Sequence, residues 1–358
     1  GELARGITLV GAGIPSPYGS LEGEKGLTRH GTSLSSFKYG ASVLFWDGKA
    51  DENLLTFRGT VGFALRDLSL IGNDRVKVLV AIDSIPNFGS GLAEFQRVLF
   101  ARADCAMECG GQGPNMNAAD MSFIDVQVFD CQTGFRTCQY ENVDYYFLRP
   151  MFMGCGTALH FKRGGSAEVT AMATRRTALI CAIDGANMAH GNFHFSGLRV
   201  DVNAAVRTNV ISEDGRWDRP EPPNAVVLKA KGEANVKFTA LNVVGRKQAI
   251  DSTTPLFFLD SHVQVCVESS MLTGPVAILR GAGKAAPTWI QFDQCRFRIN
   301  SDPRKSIQLD EYSGFELRNC QITTEEDPAS GKWDNTETEF VSSLVRLPGK
   351  LSWTLKEK

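Results

Sequence analysis

Three of the five histidines of the chain, His160, His190 and His194, fall within 35 residues that also hold Lys162, Arg163, Arg175, Arg176 and Asp184. Bases and cations gathered this way suit proton abstraction beside a carboxylate: one group removes the proton and a cation neutralises the enolate that forms. In that reading Arg175 or Arg176 neutralises, Lys162 or His190 takes the proton, and Asp184 is the remaining catalytic candidate. His160, Arg163 and His194 would then hold the substrate. The same residues also suit the solvated outward positions of strands whose other members, Leu159, Phe161 and Leu179, face a core.

Two further groups carry polar chemistry. Asp67, Arg97, Asp125 and Arg149 recur at equivalent places in successive repeats, with alternating charge. Such a stripe can grip a substrate, with Asp125 and Arg149 as binding residues, or form a ladder of cross-strand ion pairs of about 0.2–1 kcal/mol each, which is the preferred reading. The segment Glu213-Asp-Gly-Arg-Trp217-Asp-Arg-Pro-Glu-Pro-Pro223 offers Trp217 for stacking on a sugar ring and Asp214, Asp218 and Glu221 as acids or bases. A long loop on a rigid scaffold often carries function, and it can equally be an excursion that contacts a partner.

The elements that must position these residues are short and β-rich, with almost no helical periodicity. One pattern recurs ten times: an apolar residue, two variable positions, a second apolar residue, one variable position and a third. The triplets are Leu65/Leu68/Leu70, Phe95/Val98/Phe100, Phe123/Val126/Val128, Phe147/Pro150/Phe152, Val169/Met172/Thr174, Phe195/Leu198/Val200, Phe238/Leu241/Val243, Val267/Ser270/Leu272, Phe292/Cys295/Phe297 and Leu317/Cys320/Ile322. Their first members are spaced 30, 28, 24, 22, 26, 43, 29, 25 and 25 residues apart. This is the period of a solenoid, an all-β parallel β-helix of about ten coils with two or three short strands per coil. The three-residue step inside each triplet predicts a bend or bulge, because strict alternation would place its first two members on opposite faces. A second strand follows in most coils: Ser42–Trp46, Ala158–Phe161, Ala178–Cys181, Leu256–Leu259, Val276–Leu279 and Ile307–Leu309. The 43-residue interval marks an inserted loop at about 203–235. The β-helix is expected over 1–324, and 325–358 as a capping segment that blocks edge pairing.

The nine cysteines include Cys295 and Cys320 in one column, and Cys131 and Cys155 in another, which reads as small buried residues stacked in ladders. No CxxC occurs, and Cys105/Cys109 and Cys131/Cys138 lack nearby histidines, so zinc is not expected. Gly11-Ala12-Gly13 lacks the third glycine of a dinucleotide loop and is followed by Pro15 and Pro17. Cys109–Asn115 lacks the Lys-Ser/Thr of a phosphate loop and reads as a turn. With 38 basic and 40 acidic residues among 358 the net charge is −2, which argues against a broad nucleic-acid-binding surface. No apolar run approaches the ~18 residues that span a bilayer, so no membrane partner is expected. The chain opens on Ile7-Thr-Leu-Val10 with no basic and apolar leader, so an export signal would have been removed or never present.

Ile7-Thr-Leu-Val-Gly-Ala-Gly13, Leu65-Arg-Asp-Leu-Ser-Leu-Ile-Gly72 and Phe315-Glu-Leu-Arg-Asn-Cys-Gln-Ile322 resemble coils of the pectate-lyase-like right-handed parallel β-helix superfamily, and the resemblance spans nearly the whole chain. That superfamily holds polysaccharide lyases, glycoside hydrolases, uronate epimerases and phage tailspikes, so the resemblance implies an extracellular, periplasmic or cell-surface protein whose partner is a polysaccharide. It implies a trimer if the chain is tailspike-like, and otherwise leaves the oligomeric state open. Where polygalacturonase-like enzymes carry catalytic aspartates this chain reads Cys155-Gly-Thr157 and Arg175-Arg-Thr177, and Ala189-His190-Gly191 is only faintly similar to their histidine element. The paired aspartates that bind calcium in pectate lyases are not found; no cofactor is expected, and calcium is possible without being indicated. The leading expectation is cleavage of an acidic, uronate-containing polysaccharide. The alternative is a non-catalytic β-helix with a structural or polysaccharide-binding role.

Overall fold

A computed structural model gives the chain as a parallel β-solenoid of about nine turns. The described residues are 6–13, 42–46, 48–111, 118–139, 143–184, 191–201, 225–244, 254–283, 287–299, 306–324, 337–346 and 354–355, the last two segments by backbone alone. His190 and residues 202–224, which include Asp214, Trp217, Asp218 and Glu221, lie outside them.

Each coil contributes to three parallel faces. The first face stacks Thr8–Val10, Ala118–Ile124, Tyr145–Leu148, Ala167–Thr170, Asn192–Ser196, Ala234–Thr239, Val263–Glu268, Thr288–Asp293 and the start of Ser313–Thr324. The second face stacks strands of three or four residues: Ser42–Phe45, Gln127–Phe129, Met151–Met153, Ala173–Arg175, Arg199–Asp201, Asn242–Val244, Met271–Thr273 and Arg296–Ile299. The third stacks Asn53–Arg58, Thr133–Thr137, Thr157–Phe161, Leu179–Ile183, Val226–Lys231, Phe257–Asp260, Ala277–Arg280 and Ile307–Leu309. Ala64–Asp83 and Ser90–Cys109 run without interruption through all three faces. Ser42–Phe45 pairs with Leu68–Ile71 and so belongs to the second face, unlike the other second strands read from the sequence, which lie on the third. Val226–Lys231 is an ordinary third-face rung, so the insertion ends before it, short of residue 235.

The triplet is a corner. Its first member points inward on the first face, its second fills the inside of the bend and its third points inward on the second face; Leu65, Leu68 and Leu70 are 0, 4 and 0% exposed. The bend is made by the residue two after the first member, which is left-handed in all ten coils: Asp67, Arg97, Asp125, Arg149, Ala171, Gly197, Ala240, Ser269, Gln294 and Asn319, with φ between 49° and 67°. Turning the chain at one residue reverses the alternation and brings the first two members to the same interior. Asp, Asn and Gly tolerate this conformation; Ala171 and Ala240 bear about 1 kcal/mol or more of strain there. The corner amide is not wasted, because it donates to the carbonyl one coil further on: Arg149 to Thr170 at 2.8 Å, Ala171 to Ser196 at 2.7 Å, Ala240 to Glu268 at 3.0 Å.

The interior is a column of phenylalanines. Phe95, Phe123 and Phe147 stack with ring centroids 4.9 and 4.5 Å apart, and Phe195 stacks on Phe238 at 4.8 Å. Cys295 and Cys320 occupy the inside of the first corner and Cys131 and Cys155 the inside of the second, all buried with free thiols. The exposed edge of Ser313–Thr324 is paired antiparallel by Glu337–Arg346, which in turn pairs with Thr354–Leu355. This antiparallel layer ends the parallel ladder.

Candidate functional site

The solenoid distributes the sequence-derived candidates over different faces. His160 lies on the outer side of the third face, in register between Arg136 and Ala182, with Nε2 2.7 Å from Asp184 Oδ2 at the end of the next coil. That hydrogen bond, against the opposing effect of burial, holds the Asp184 carboxyl below the ordinary carboxylate range, with Lys229 and Lys162 reinforcing it. Asp184 is therefore a carboxylate near neutrality that orients His160 and has no proton to donate. Lys162 and Arg163 follow the same strand, exposed, at the turn into Gly164 and Gly165. Arg175 ends a second-face strand and Arg176 forms the left-handed corner after it. His194 stands on the first face.

Asp125 and Arg149 lie at the first corner, and the stripe that contains them is closed into pairs. Arg97 donates from Nε and Nη2 to Asp67 at 2.5 and 2.7 Å, and Arg149 does the same to Asp125 at 2.7 Å twice. Both aspartates are held low by these hydrogen bonds, again against burial. Other charges close between coils in the same way: Arg66 with Glu94, Arg102 with Asp74 and Arg136 with Glu108.

A concavity that gathers polar side chains from several coils lies on the outer side of the first face, in Asn192–Ser196, Ala234–Thr239, Val263–Glu268 and Thr288–Asp293. It is a groove of about 410 Å³. Parallel register aligns its outward residues in two rows: Asn192, Asn235, Gln264 and Trp289, then His194, Lys237, Cys266 and Gln291. The strand alternation that sends Phe195, Phe238, Val267 and Phe292 into the core sends these residues out. Asn235 Nδ2 donates to Asn192 Oδ1 at 3.4 Å, and Gln264 Nε2 to the Pro287 carbonyl at 3.4 Å. On the rim, Lys237 Nζ is 2.8 Å from Glu268 Oε2. This contact holds the Glu268 carboxyl low and the Lys237 ammonium high, so both stay charged at neutral pH. Burial, and then Glu268, push the Cys266 thiol up to about 11, so it is no nucleophile near neutrality. None of the described residues lining the groove is Asp or Glu. Among the described residues no group of three His, Cys, Asp or Glu side chains is arranged to hold a metal ion.

Only His194 of the groove is among the sequence-derived candidates. The signal for the others is present in the register: each residue of the Asn192 row precedes the first member of its triplet by three, and the spacing 43, 29, 25 repeats that of the triplets. Compared with known proteins, the chain matches no family model, no curated protein and no solved structure. The fold defines the class, a parallel β-solenoid whose polar groove runs along the stacking axis.

Proposed function

We propose that this β-solenoid binds a polysaccharide lengthwise in the first-face groove, without cleaving it there. The observation that carries the reading is the row Asn192, Asn235, Gln264 and Trp289, one residue per coil. At about 4.8 Å per rung it extends ~14 Å, the scale of an extended sugar chain rather than of one ring. Side-chain amides both donate and accept, as vicinal hydroxyls require, and an indole offers a flat apolar face to the C–H side of a pyranose. Binding rather than cleavage is favoured because no carboxylate is among the described residues that line the groove, and Glu268 on its rim is committed to Lys237. A likeness to the pectate-lyase-like β-helices fits this reading in ligand class, and a polysaccharide ligand would suit a protein of the periplasm, the cell surface or the surrounding medium.

The His160–Asp184 pair favours a second reading, in which the third face cleaves a uronate polymer with His160 as base beside Lys162.

One experiment separates the two. Affinity electrophoresis of the full chain in gels containing pectin, alginate or a glycosaminoglycan is run beside an absorbance assay for unsaturated products and a reducing-end assay. Retardation that Trp289→Ala weakens about tenfold, with no product, supports the groove. Product formation abolished by His160→Ala supports the second reading. No retardation on any polymer overturns the first.

A further inference from the structure

Two cysteines lie in register inside the first corner of the last two parallel coils. Cys295 follows Thr288–Asp293, Cys320 stands within Ser313–Thr324, and the Gln321 amide donates to the Cys295 carbonyl at 2.9 Å. Parallel rungs stand about 4.8 Å apart, inside the range of about 4.4–6.8 Å between the Cα atoms of a disulfide. Both sulfurs point back along the axis in the same way. Cys295 Sγ is 3.3 Å from the Val267 carbonyl oxygen, and Cys320 Sγ is 3.6 Å from that of Phe292, on the coil that holds Cys295. Ser270 continues the column one coil earlier, its carbonyl accepting from the Arg296 amide at 2.8 Å.

The two thiols are not equivalent. Cys295 donates a hydrogen bond to Cys320, which pushes the Cys295 thiol up and, against burial, holds that of Cys320 below the ordinary range. Elsewhere burial pushes thiols the other way, at Cys105, Cys131 and Cys181 inside the rod and at the partly exposed Cys138 and Cys266. The thiolate is the attacking form of sulfur, so Cys320 is primed and Cys295 is the neighbour that can resolve its product. On its other side Cys320 meets Val341 of the antiparallel layer instead of another coil.

We infer that Cys320 and Cys295 are a peroxide-oxidisable pair whose disulfide staples the last two coils together. The oxidant is hydrogen peroxide, small and uncharged. The Cys320 thiolate attacks one peroxide oxygen: the S–O bond forms, the O–O bond breaks, and the released hydroxide takes the proton that Cys320 gave up and leaves as water. The Cys295 sulfur then attacks the sulfenic sulfur of Cys320. The S–S bond forms, the S–O bond breaks, and the hydroxyl leaves as water with the Cys295 proton. Two thiols are oxidised to one disulfide and one peroxide is reduced to two waters. The pair is independent of what the groove binds.

The test exposes the full chain to hydrogen peroxide near neutral pH, blocks unreacted thiols with iodoacetamide in denaturant and maps the peptides without reduction. Wild type should give the Cys295–Cys320 disulfide about tenfold faster than any oxidation of Cys138 or Cys266, and a thiol reductant should reverse it. Amide exchange across Ser313–Thr324 should slow by about tenfold on oxidation. Serine already fills this column at Ser270, so serine variants suit the position. In Cys295→Ser the reaction should stop at a dimedone-reactive sulfenic acid on Cys320, while in Cys320→Ser the Cys295 thiol should stay reduced. Oxidation of Cys138 or Cys266 first, with Cys295 and Cys320 still thiols, overturns the pair. Dimedone labelling of Cys295 in Cys320→Ser overturns Cys320 as the attacking sulfur, and unchanged amide exchange on oxidation overturns the staple. The wild-type peptide map decides the pair even where a variant fails to fold.

Discussion

Arg149 and Asp125 stand at the same left-handed corner of successive coils, and the guanidinium meets both carboxylate oxygens at 2.7 Å. The corner is thereby tied coil to coil through its side chains as well as through its amides.

Acid should undo this tie before it undoes the core. The Arg149 hydrogen bond, opposed by burial, lowers the folded-state pKa of Asp125 below its unfolded value. The stabilisation is therefore present above the ordinary carboxylate range near pH 4 and is lost as pH falls through the lowered folded value. Thermal melts of wild type and Asp125→Asn should differ at pH 7, with the variant lower, and converge by about pH 2. A gap that persists undiminished at low pH contradicts this assignment.

Strain at the corners is open to a direct check. Ala240, at φ 56°, carries a left-handed conformation with a methyl side chain that can form no local hydrogen bond, unlike Asn or Asp. Ala240→Asn should be neutral or slightly stabilising, whereas Ala240→Val should cost about 1–3 kcal/mol, because β-branching clashes most in this region. Urea midpoints measure both; a harmless valine would show that the bend does not need its left-handed residue.

The phenylalanine column should make damage local. Phe123 stacks on Phe95 and Phe147, and removing its ring by Phe123→Ala should destabilise by about 3–5 kcal/mol. Coils of a solenoid touch only their neighbours, so amide exchange should accelerate around Phe95–Phe147 and remain slow around Phe292. Uniform acceleration along the chain would mean that the coils unfold as one unit.

Thiol chemistry reports on the groove independently of affinity. Of the nine free cysteines, seven are buried and only Cys138 and Cys266 are partly exposed. Both thiols are pushed up to about 11, by burial first. Iodoacetamide should therefore label these two slowly at pH 7 and about tenfold faster per pH unit until near 11. Saturating polygalacturonate should protect Cys266 in the groove and leave Cys138 on the third face reactive. Protection of both, or of neither, would place the polymer elsewhere.

The fold is legible in the sequence because the core columns repeat: Phe95, Phe123 and Phe147 announce the coil by type and spacing. The second face is harder to see. Gln127–Phe129, Met151–Met153 and Ala173–Arg175 hold one inward residue each, too few for an alternation, so they merge into the third triplet member. The odd step from Leu65 to Leu68 becomes intelligible only through the φ of Asp67, which residue type does not specify, since Arg, Ala, Ser and Gln fill the same place elsewhere. The candidate chemistry is less legible still. Proximity in sequence groups His160 with His194, but one coil separates their strands onto different faces, while Asn192 and Trp289, about a hundred residues apart, share a groove.

The ladders also govern how the molecule bears load. Interstrand hydrogen bonds on all three faces run along the stacking axis, so a pull on the two ends acts on every coil boundary in series, and the weakest boundary yields first. The coil of Val169, Ala171 and Thr174 combines a small core residue, a strained corner and a buried hydroxyl between the two phenylalanine stacks. Stretching is therefore expected to open the solenoid first at this coil, while the segments on either side stay wound.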